Sequence, residues 1–392
     1  MAKTRDFDVV LFGATGFTGQ LTAEYLARHR ASGLRLALAG RNPDKLKVTR
    51  ARLTDIAPAC RDLALLHADV SDEASMRRMA ESTRVLITTV GPYIRYGEPA
   101  VAACADAGTD YVDLTGEPEF ADRMWLAYHD RARRSGARIV HCCGFDSLPH
   151  DLGCWLTVQQ LPEDVPLRVQ GFVRFGGQLS GGTLHSAVTA FSRLGEYARV
   201  AQARRREEGR PVDRRVGAIH HGLRYIKELG TWTLPLPTID PQIVRRSAMA
   251  IDRYGPDFRY GHFLQVKKLS GVAQLIGVAG AGLIGSQFKP VRERLLALRN
   301  PGEGPSAAVR AKGWFRVTFI GEGAGQRVRC EVSGGDPGYG ETSKMLAESA
   351  LCLAQDKLPR SAGVITPVQA MGNALIERLQ RAGIGFRVVG GR

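Results

Sequence analysis

The sequence predicts an α/β fold, a doubly wound parallel sheet with an α+β domain inserted into it. Three observations carry this. An apolar run, Val9-Val10-Leu11-Phe12, meets three glycines spaced three apart, Gly13, Gly16 and Gly19, and continues as an amphipathic stretch through Leu21, Tyr25 and Leu26. Strand patterns then alternate with helical ones, six units in succession, as far as residue 150. Late in the chain two alternating runs, Trp314 to Ile320 and Arg327 to Val332, are joined only by a glycine-rich turn. Strands separated by helices build parallel sheets, and strands joined directly build antiparallel ones.

The opening run is apolar on both faces, which suits the centre of a parallel sheet. Gly13 permits a sharp turn, Gly16 lets the backbone approach a pyrophosphate, and Gly19 lets the following helix lie close to the strand. Free N–H groups at the helix start supply an anion site. Any tight strand-to-helix turn also uses glycine, and the spacing is Gly-x-x-Gly-x-x-Gly rather than Gly-x-Gly-x-x-Gly, so the rest of the chain has to decide. A second strand, Leu34 to Ala39, ends in Gly40-Arg41-Asn42. An acidic residue there would bond the ribose 2′-hydroxyl of NAD and repel the 2′-phosphate of NADP; an arginine favours NADP. The alternative is a surface arginine at a helix start.

Pro43 opens a helix to about Ala57. The third strand, Leu63 to His67, ends in Ala68-Asp69-Val70, where Asp69 can face the adenine ring and Asp69, Ser71 or Asp72 can cap the next helix, the two roles being compatible. Val85 to Val90 form the fourth strand, broken by Gly91-Pro92-Tyr93, and this turn should line the cofactor crevice. After a helix from Pro99 to Ala107 come a short fifth strand, Asp110 to Asp113, and the turn Leu114-Thr115-Gly116-Glu117. A long helix from Pro118 closes at Gly136. The sixth strand, Ala137 to Cys142, runs into Cys143-Gly144-Phe145-Asp146-Ser147-Leu148-Pro149-His150. The sequence therefore expects cofactor contacts from Gly13, Thr15, Gly16, Phe17, Thr18, Gly19, Arg41, Asn42, Asp69, Val70, Val90, Gly91 and Pro92.

Domain limits follow as 1–155 for a Rossmann-type dinucleotide domain, 156–338 for the inserted substrate domain, and 339–392 for C-terminal helices returning to the first. Within the insert, Leu167 to Phe175 alternates as a strand, and Gly176 to Thr183 leads into a helix through Leu184, Val188 and Phe191, either as an anion site or as a loop needing positive φ. Of the closing helices, one runs from about Thr342 to Asp356. The other begins with Thr366 as N-cap and Pro367 at its first position, and stops at Gly383.

The 392-residue chain carries a formal charge of +15, and the excess sits in the middle. Residues 1–150 hold 20 basic and 19 acidic side chains, whereas 165–315 hold 24 and 10. Such asymmetry points to an anionic lipid surface or acidic carrier, or to a solvated basic face. Nucleic acid is disfavoured, because the basic residues are not interleaved with stacking aromatics. The N-terminus has no apolar signal core, so a cytoplasmic location is expected. Seven cysteines without a Cys-x-x-Cys pair read as reduced thiols, and no metal is expected. Residues 269–288 carry no charge. Their length matches a membrane span, but five glycines and several polar residues also suit a buried or dimer-interface helix, or peripheral contact with the inner face of the membrane.

Taken together, Gly13 to Gly19, Ala39-Gly40-Arg41, Gly91-Pro92-Tyr93, Tyr111 to Glu117, Gly144 to Pro149, Ser180 to Thr183 and Gly363 to Pro367 resemble the saccharopine dehydrogenase-like oxidoreductases, and among them most the trans-acting enoyl reductases. The resemblance covers nearly the whole chain. It implies an NADP-type Rossmann domain with an inserted substrate domain. For the enoyl reductase branch it implies NADPH-dependent saturation of a carbon–carbon double bond in an acyl or polyketide-derived lipid intermediate, presented by a synthase or carrier protein. An imine reduction of the saccharopine type and a non-enzymatic NADPH sensor are the competing readings. None of the ten lysines has a tyrosine four residues before it, which argues against a short-chain dehydrogenase.

Enoyl reduction needs an anchored nicotinamide, a stabilised enolate and a proton for the α-carbon. Candidates at the strand ends are Tyr93, Asp146, Ser147 and His150, and His150 has the side chain best suited to proton transfer near neutrality. Capping or solvation at the helix start is the competing role for His150.

Overall fold

The computed structural model describes residues 5–29, 33–177, 192–209, 211–288, 290–291, 293–294 and 304–391. The chain forms two compact units. Unit 1 takes Met1–Phe145, Gly302–Gly304 and Tyr339–Ala382, and unit 2 takes Asp146–Pro301, Pro305–Gly338 and Gly383–Arg392. In chain order, β1 (Phe7–Phe12), β2 (Leu36–Gly40), β3 (Ala64–His67), β4 (Thr83–Thr88), β5 (Asp110–Val112) and β6 (Arg138–Val140) belong to unit 1. Next come β7 (Leu167–Gly176), β8 (Arg215–Ala218), β9 (Arg224–Ile226), β10 (Thr231–Pro235), β11 (Asp257–Val266), β12 (Trp314–Gly323) and β13 (Gln326–Gly334) in unit 2. The chain then contributes β14 (Gly363–Ile365) to unit 1 and β15 (Gly385–Gly391) to unit 2.

Unit 1 is the expected doubly wound sheet. Its strand order is β14-β6-β5-β4-β1-β2-β3, and every pairing is parallel. Val9, Val10 and Leu11 of β1 are fully buried, as an apolar run between two parallel neighbours requires. The order reverses between β1 and β4, which makes the gap beyond their carboxyl ends the topological switch point. The helix Gly340–Gln355 lies against the helix Phe17–His29. Tyr25 donates to Glu348 at 2.6 Å there.

Unit 2 is mixed, with the order β15-β13-β12-β7-β11-β10-β9 and β8 paired to β11. The expected hairpin is present: β12 and β13 pair antiparallel from Phe315↔Gly334 to Gly323↔Gln326.

The structure differs from the sequence reading at three points. The chain leaves unit 1 at Asp146, not at 156, because the helix Leu148–Gln159 packs on β12 and β13. Gly153 permits that approach, since a Cβ there would lie 2.3 Å from the Phe319 ring. The C-terminal segment is not all helical, for β15 pairs with β13. Thr366 does cap its helix through a full capping box, yet that helix is two, Pro367–Ala370 and Gly372–Arg381. Residues 269–287 are one helix, but among the described residues no helix is long and apolar enough to cross a membrane. The glycine-rich entry after Gly177 and the helix through Leu184, Val188 and Phe191 lie outside the described residues. All seven cysteines are buried and none is in a disulfide.

Candidate functional site

On unit 1 the turn after β1 shows what each glycine does. Gly13 has φ +86, and a Cβ on it would lie 2.7 Å from Thr89 Oγ1 and 2.8 Å from Val90 Cγ2. A Cβ on Gly19 would lie 2.1 Å from the Gly13 carbonyl oxygen, so nothing larger than glycine lets the helix begin where it does. Gly16 differs. It is exposed, and a Cβ there would meet only the Gly13 carbonyl oxygen, at an ordinary 3.5 Å. The fold itself therefore has no steric need for glycine at 16, whereas a phosphate approaching the backbone would. The helix Phe17–His29 has no acidic residue in its first turn, which leaves its N-terminal field open to an anion. Nearby side chains are spent on shape: Phe17 packs edge-on against Tyr339 at 4.8 Å between centroids, the Thr15 carbonyl accepts from Gln20 at 3.0 Å, and the Thr18 carbonyl accepts from Thr22 at 2.9 Å.

The turn after β4 meets the glycine turn across the switch point, where the Thr89 hydroxyl donates to the Gly13 carbonyl at 3.1 Å. Gly91 is exposed, the Gly91–Pro92 bond is cis, and Val90 packs partly into the core below. Glu117 holds this turn. Its carboxylate accepts the N–H of Tyr93 at 3.1 Å and of Ile94 at 2.8 Å, a charge-assisted cap on the short helix Tyr93–Tyr96. Asp113 locks the next strand ends in the same way. It accepts from Tyr111, Thr115, His141 and Cys142, the His141 contact being 2.6 Å. Tyr93 itself is buried and its hydroxyl donates to the Thr88 carbonyl at 3.0 Å. Burial, with the charge of Asp113, pushes its phenol well above the ordinary range, so it stays a neutral donor.

After β2, Arg41 is exposed and makes no hydrogen bond or ion pair to any described residue. Asn42 caps the helix Pro43–Ile56, accepting from the Asp44 and Lys45 N–H groups at 3.0 Å each. Asp69 accepts from the Ser71 N–H and hydroxyl at 2.9 and 2.8 Å. Those bonds hold its carboxyl below the usual range, with the charge of Arg41 adding to the effect. Val70 packs against the core. A basic, unpaired Arg41 beside an exposed glycine-lined helix start has the donors a dinucleotide phosphate needs.

Unit 2 holds a second polar cluster. His150, in the first turn of the helix Leu148–Gln159, puts Nδ1 3.1 Å from Asp240 Oδ1. Asp240 opens the helix Asp240–Ala250, and its Oδ2 accepts from the Thr238 hydroxyl and lies 3.5 Å from His262 Nε2. The two imidazoles stand edge to face at 4.9 Å. Tyr260 reaches His262 Nδ1 at 3.2 Å. All three of His150, Asp240 and His262 are buried. Burial pushes the His262 imidazole down to about 3, reinforced by His150 and opposed by Asp240. Burial and the Asp240 charge push the Asp146 carboxyl up to about 6, against a lowering by His150. Ser147 Oγ is buried with no hydrogen-bond partner among the described residues. Asp151, one turn on, accepts from Ser247 at 2.7 Å and ties the two helices together.

Of the residues expected from sequence, the structure gathers Gly13 to Gly19 with Val90 to Pro92 at one switch point, and Arg41, Asn42, Asp69 and Val70 on the adjacent strand ends. Asp146, Ser147 and His150 lie in unit 2, and Tyr93 lies in unit 1. Sequence reading missed Glu117, Asp240 and His262. Glu117 sat in a motif with no role attached to it. Asp240 reads as a helix start, and only its parity with Tyr260 and Phe258 marks His262 as inward-facing.

Residues 9–140 match the family model described as the saccharopine dehydrogenase NADP binding domain. A Mycobacterium ulcerans protein named trans-acting enoyl reductase is 37% identical, with 97% of each chain covered. A Mycobacterium tuberculosis protein to which the same activity is assigned provisionally is 40% identical, with 98% of each chain covered. Among solved structures, apo saccharopine dehydrogenase (L-Glu forming) from Saccharomyces cerevisiae shares the fold at a TM-score of 0.58 and 11% identity, covering 98% of this chain and 100% of that one.

Proposed function

The chain belongs to the saccharopine dehydrogenase-like oxidoreductases and carries their NADP-binding domain, and on that premise we propose that it is an NADPH-dependent enoyl reductase acting in trans on an acyl or polyketide-derived lipid intermediate. The observation that carries this reading is full-length similarity, at 37–40% identity, to proteins bearing that name. Held at the switch point, NADPH would supply the hydride that an enoyl reduction needs at its β-carbon. The protein's own share is binding and orientation. The N–H groups at the start of Phe17–His29, with Gly16 closest, hold the pyrophosphate, and Arg41 pairs with the 2′-phosphate. Glu117 keeps the Gly91–Pro92 turn in place through the Tyr93 and Ile94 N–H groups, and that turn would help hold the cofactor. Tyr93 acts by fixing the same turn, since its proton is given to Thr88. Asp146, Ser147 and His150, all in unit 2, are the candidate proton donors.

The test follows NADPH absorbance with an enoyl thioester, on a small thiol and on a carrier protein, and separately with an oxo acid plus an amino acid. Oxidation with the enoyl thioester supports the proposal. Oxidation only in the second arm assigns imine chemistry, and tight NADPH binding without turnover in either arm assigns a sensor. Ser147→Ala should lower kcat while NADPH affinity stays unchanged.

A further inference from the structure

We propose that His150, Asp240 and His262 form a binding site for a divalent transition metal of the zinc class. One ligand atom from each residue can be chosen so that all three lie within 4.8 Å of one another. The contacts to Asp240 are 3.1 Å from His150 and 3.5 Å from His262. Metal–nitrogen and metal–oxygen bonds of about 2.0–2.1 Å at tetrahedral angles separate ligand atoms by about 3.3–3.4 Å; the two contacts run to different oxygens of Asp240, Oδ1 from His150 and Oδ2 from His262, so an ion seated there would draw both imidazoles onto one carboxylate.

A second observation points to a ligand. The His262 side chain is 1% exposed, and its Nε2 has no hydrogen-bond partner among the described residues although it faces the Asp240 carboxylate. A buried ring nitrogen left in that position has lost its water without a replacement bond, a cost that a metal bond would offset. The surroundings are those of ligands held in place. Tyr260 bonds the other ring nitrogen of His262, and Thr238 donates to Asp240. Such outer partners orient an imidazole so that its remaining nitrogen points at a metal. The three ligands stand on three separate elements, the two helix starts and β11, so a bound ion would cross-link unit 2. Two imidazoles and a carboxylate suit zinc, cobalt or ferrous iron better than magnesium or calcium, which take oxygen ligands. Three protein ligands leave a fourth tetrahedral position open, and Asp146 is near enough to Asp240 and His150 for their charges to shift its proton affinity. This site does not rest on the enoyl substrate.

The test uses the untagged full-length protein, stripped with a chelator and reloaded with Co²⁺. Binding of about one Co²⁺ per chain, with the visible bands of a four-coordinate N/O site and displacement by Zn²⁺, is expected. His262→Gln and Asp240→Asn should each weaken the metal more than tenfold, and Tyr260→Phe about tenfold. NADPH binding by unit 1 checks that each variant is folded. Failure of the wild-type chain to bind stoichiometric metal overturns the proposal, as does binding that is unchanged in His262→Gln.

Discussion

Gly16→Ala and Gly19→Ala differ by three positions in one turn, and the structure assigns them opposite consequences. A methyl group on Gly19 would sit 2.1 Å from the Gly13 carbonyl oxygen and 2.9 Å from the Thr89 hydroxyl. Backbone has to move to relieve the first contact, and the turn it would move is also the one that Gly13 sets at φ +86. Overpacking of this kind costs about 1–3 kcal/mol, and more where backbone resists. On Gly16 the same methyl meets one atom at 3.5 Å, which is ordinary contact. Its effect on folding should stay within about 0.5–1 kcal/mol, and replacing glycine by alanine also removes freedom from the unfolded chain. Thermal unfolding should therefore separate them, with Gly19→Ala melting several degrees lower and Gly16→Ala close to wild type. NADPH affinity should separate them the other way for any protein that remains folded. A methyl between the backbone and a pyrophosphate costs at least about 1.4 kcal/mol, a tenfold rise in Kd measured by fluorescence titration. Wild-type NADPH affinity in Gly16→Ala would refute the placement of the phosphate at this turn. Equal loss of thermal stability in the two variants would refute the steric argument.

Arg41→Asp should shift preference from NADPH towards NADH by about ten- to a hundredfold, since it removes charge-assisted bonds worth about 1.5–3 kcal/mol and adds repulsion; unchanged preference in steady-state kinetics would remove Arg41 from the 2′-phosphate. Glu117→Gln replaces a carboxylate that accepts two backbone N–H groups by an amide that can accept only through one oxygen. It should raise the NADPH Kd severalfold while unit 1 stays folded by circular dichroism. Arg378→Met leaves the carboxylates of Glu348 and Asp356, at 3.0 and 2.7 Å from its guanidinium, without their cationic partner, Glu348 keeping only the bond from Tyr25. A loss of about 2–3 kcal/mol is expected in urea unfolding. The same pair predicts a pH effect. Burial raises the Asp356 carboxyl, the Arg378 bonds and charge outweigh it, and the net folded value lies below the ordinary one. Its contribution is therefore complete above the unfolded value near 3.8 and lost as pH falls through the folded value, so the stability gap between wild type and Arg378→Met should narrow below about pH 4.

The doubly wound half of the molecule was legible because its signals are local. An apolar strand, a turn glycine and a capped helix repeat within thirty or so residues, and each element is decided by neighbours in sequence. Gly13, Gly19 and Arg41 could be assigned roles for the same reason. The sequence also determined the family, through motifs whose combination is specific. Other features depend on contacts that sequence order does not reveal. The helix Leu148–Gln159 looks like the helix of the sixth strand-helix unit, yet it belongs to the second compact unit, because the faces of β12 and β13 are what cover it. The last seven-residue strand reads as a tail after a helix, and becomes β15 only because β13 has an open edge to pair with. Glu117 is an unremarkable acidic residue until folding sets it under the Tyr93 and Ile94 N–H groups, 24 and 23 residues away. His150, Asp240 and His262 come from two helix starts and a strand, and no spacing rule joins them. Backbone preference and apolar period act over a few residues, so they can be read in order along the chain. Burial of charge and convergence of side chains depend on which surfaces meet, and only the tertiary structure decides that.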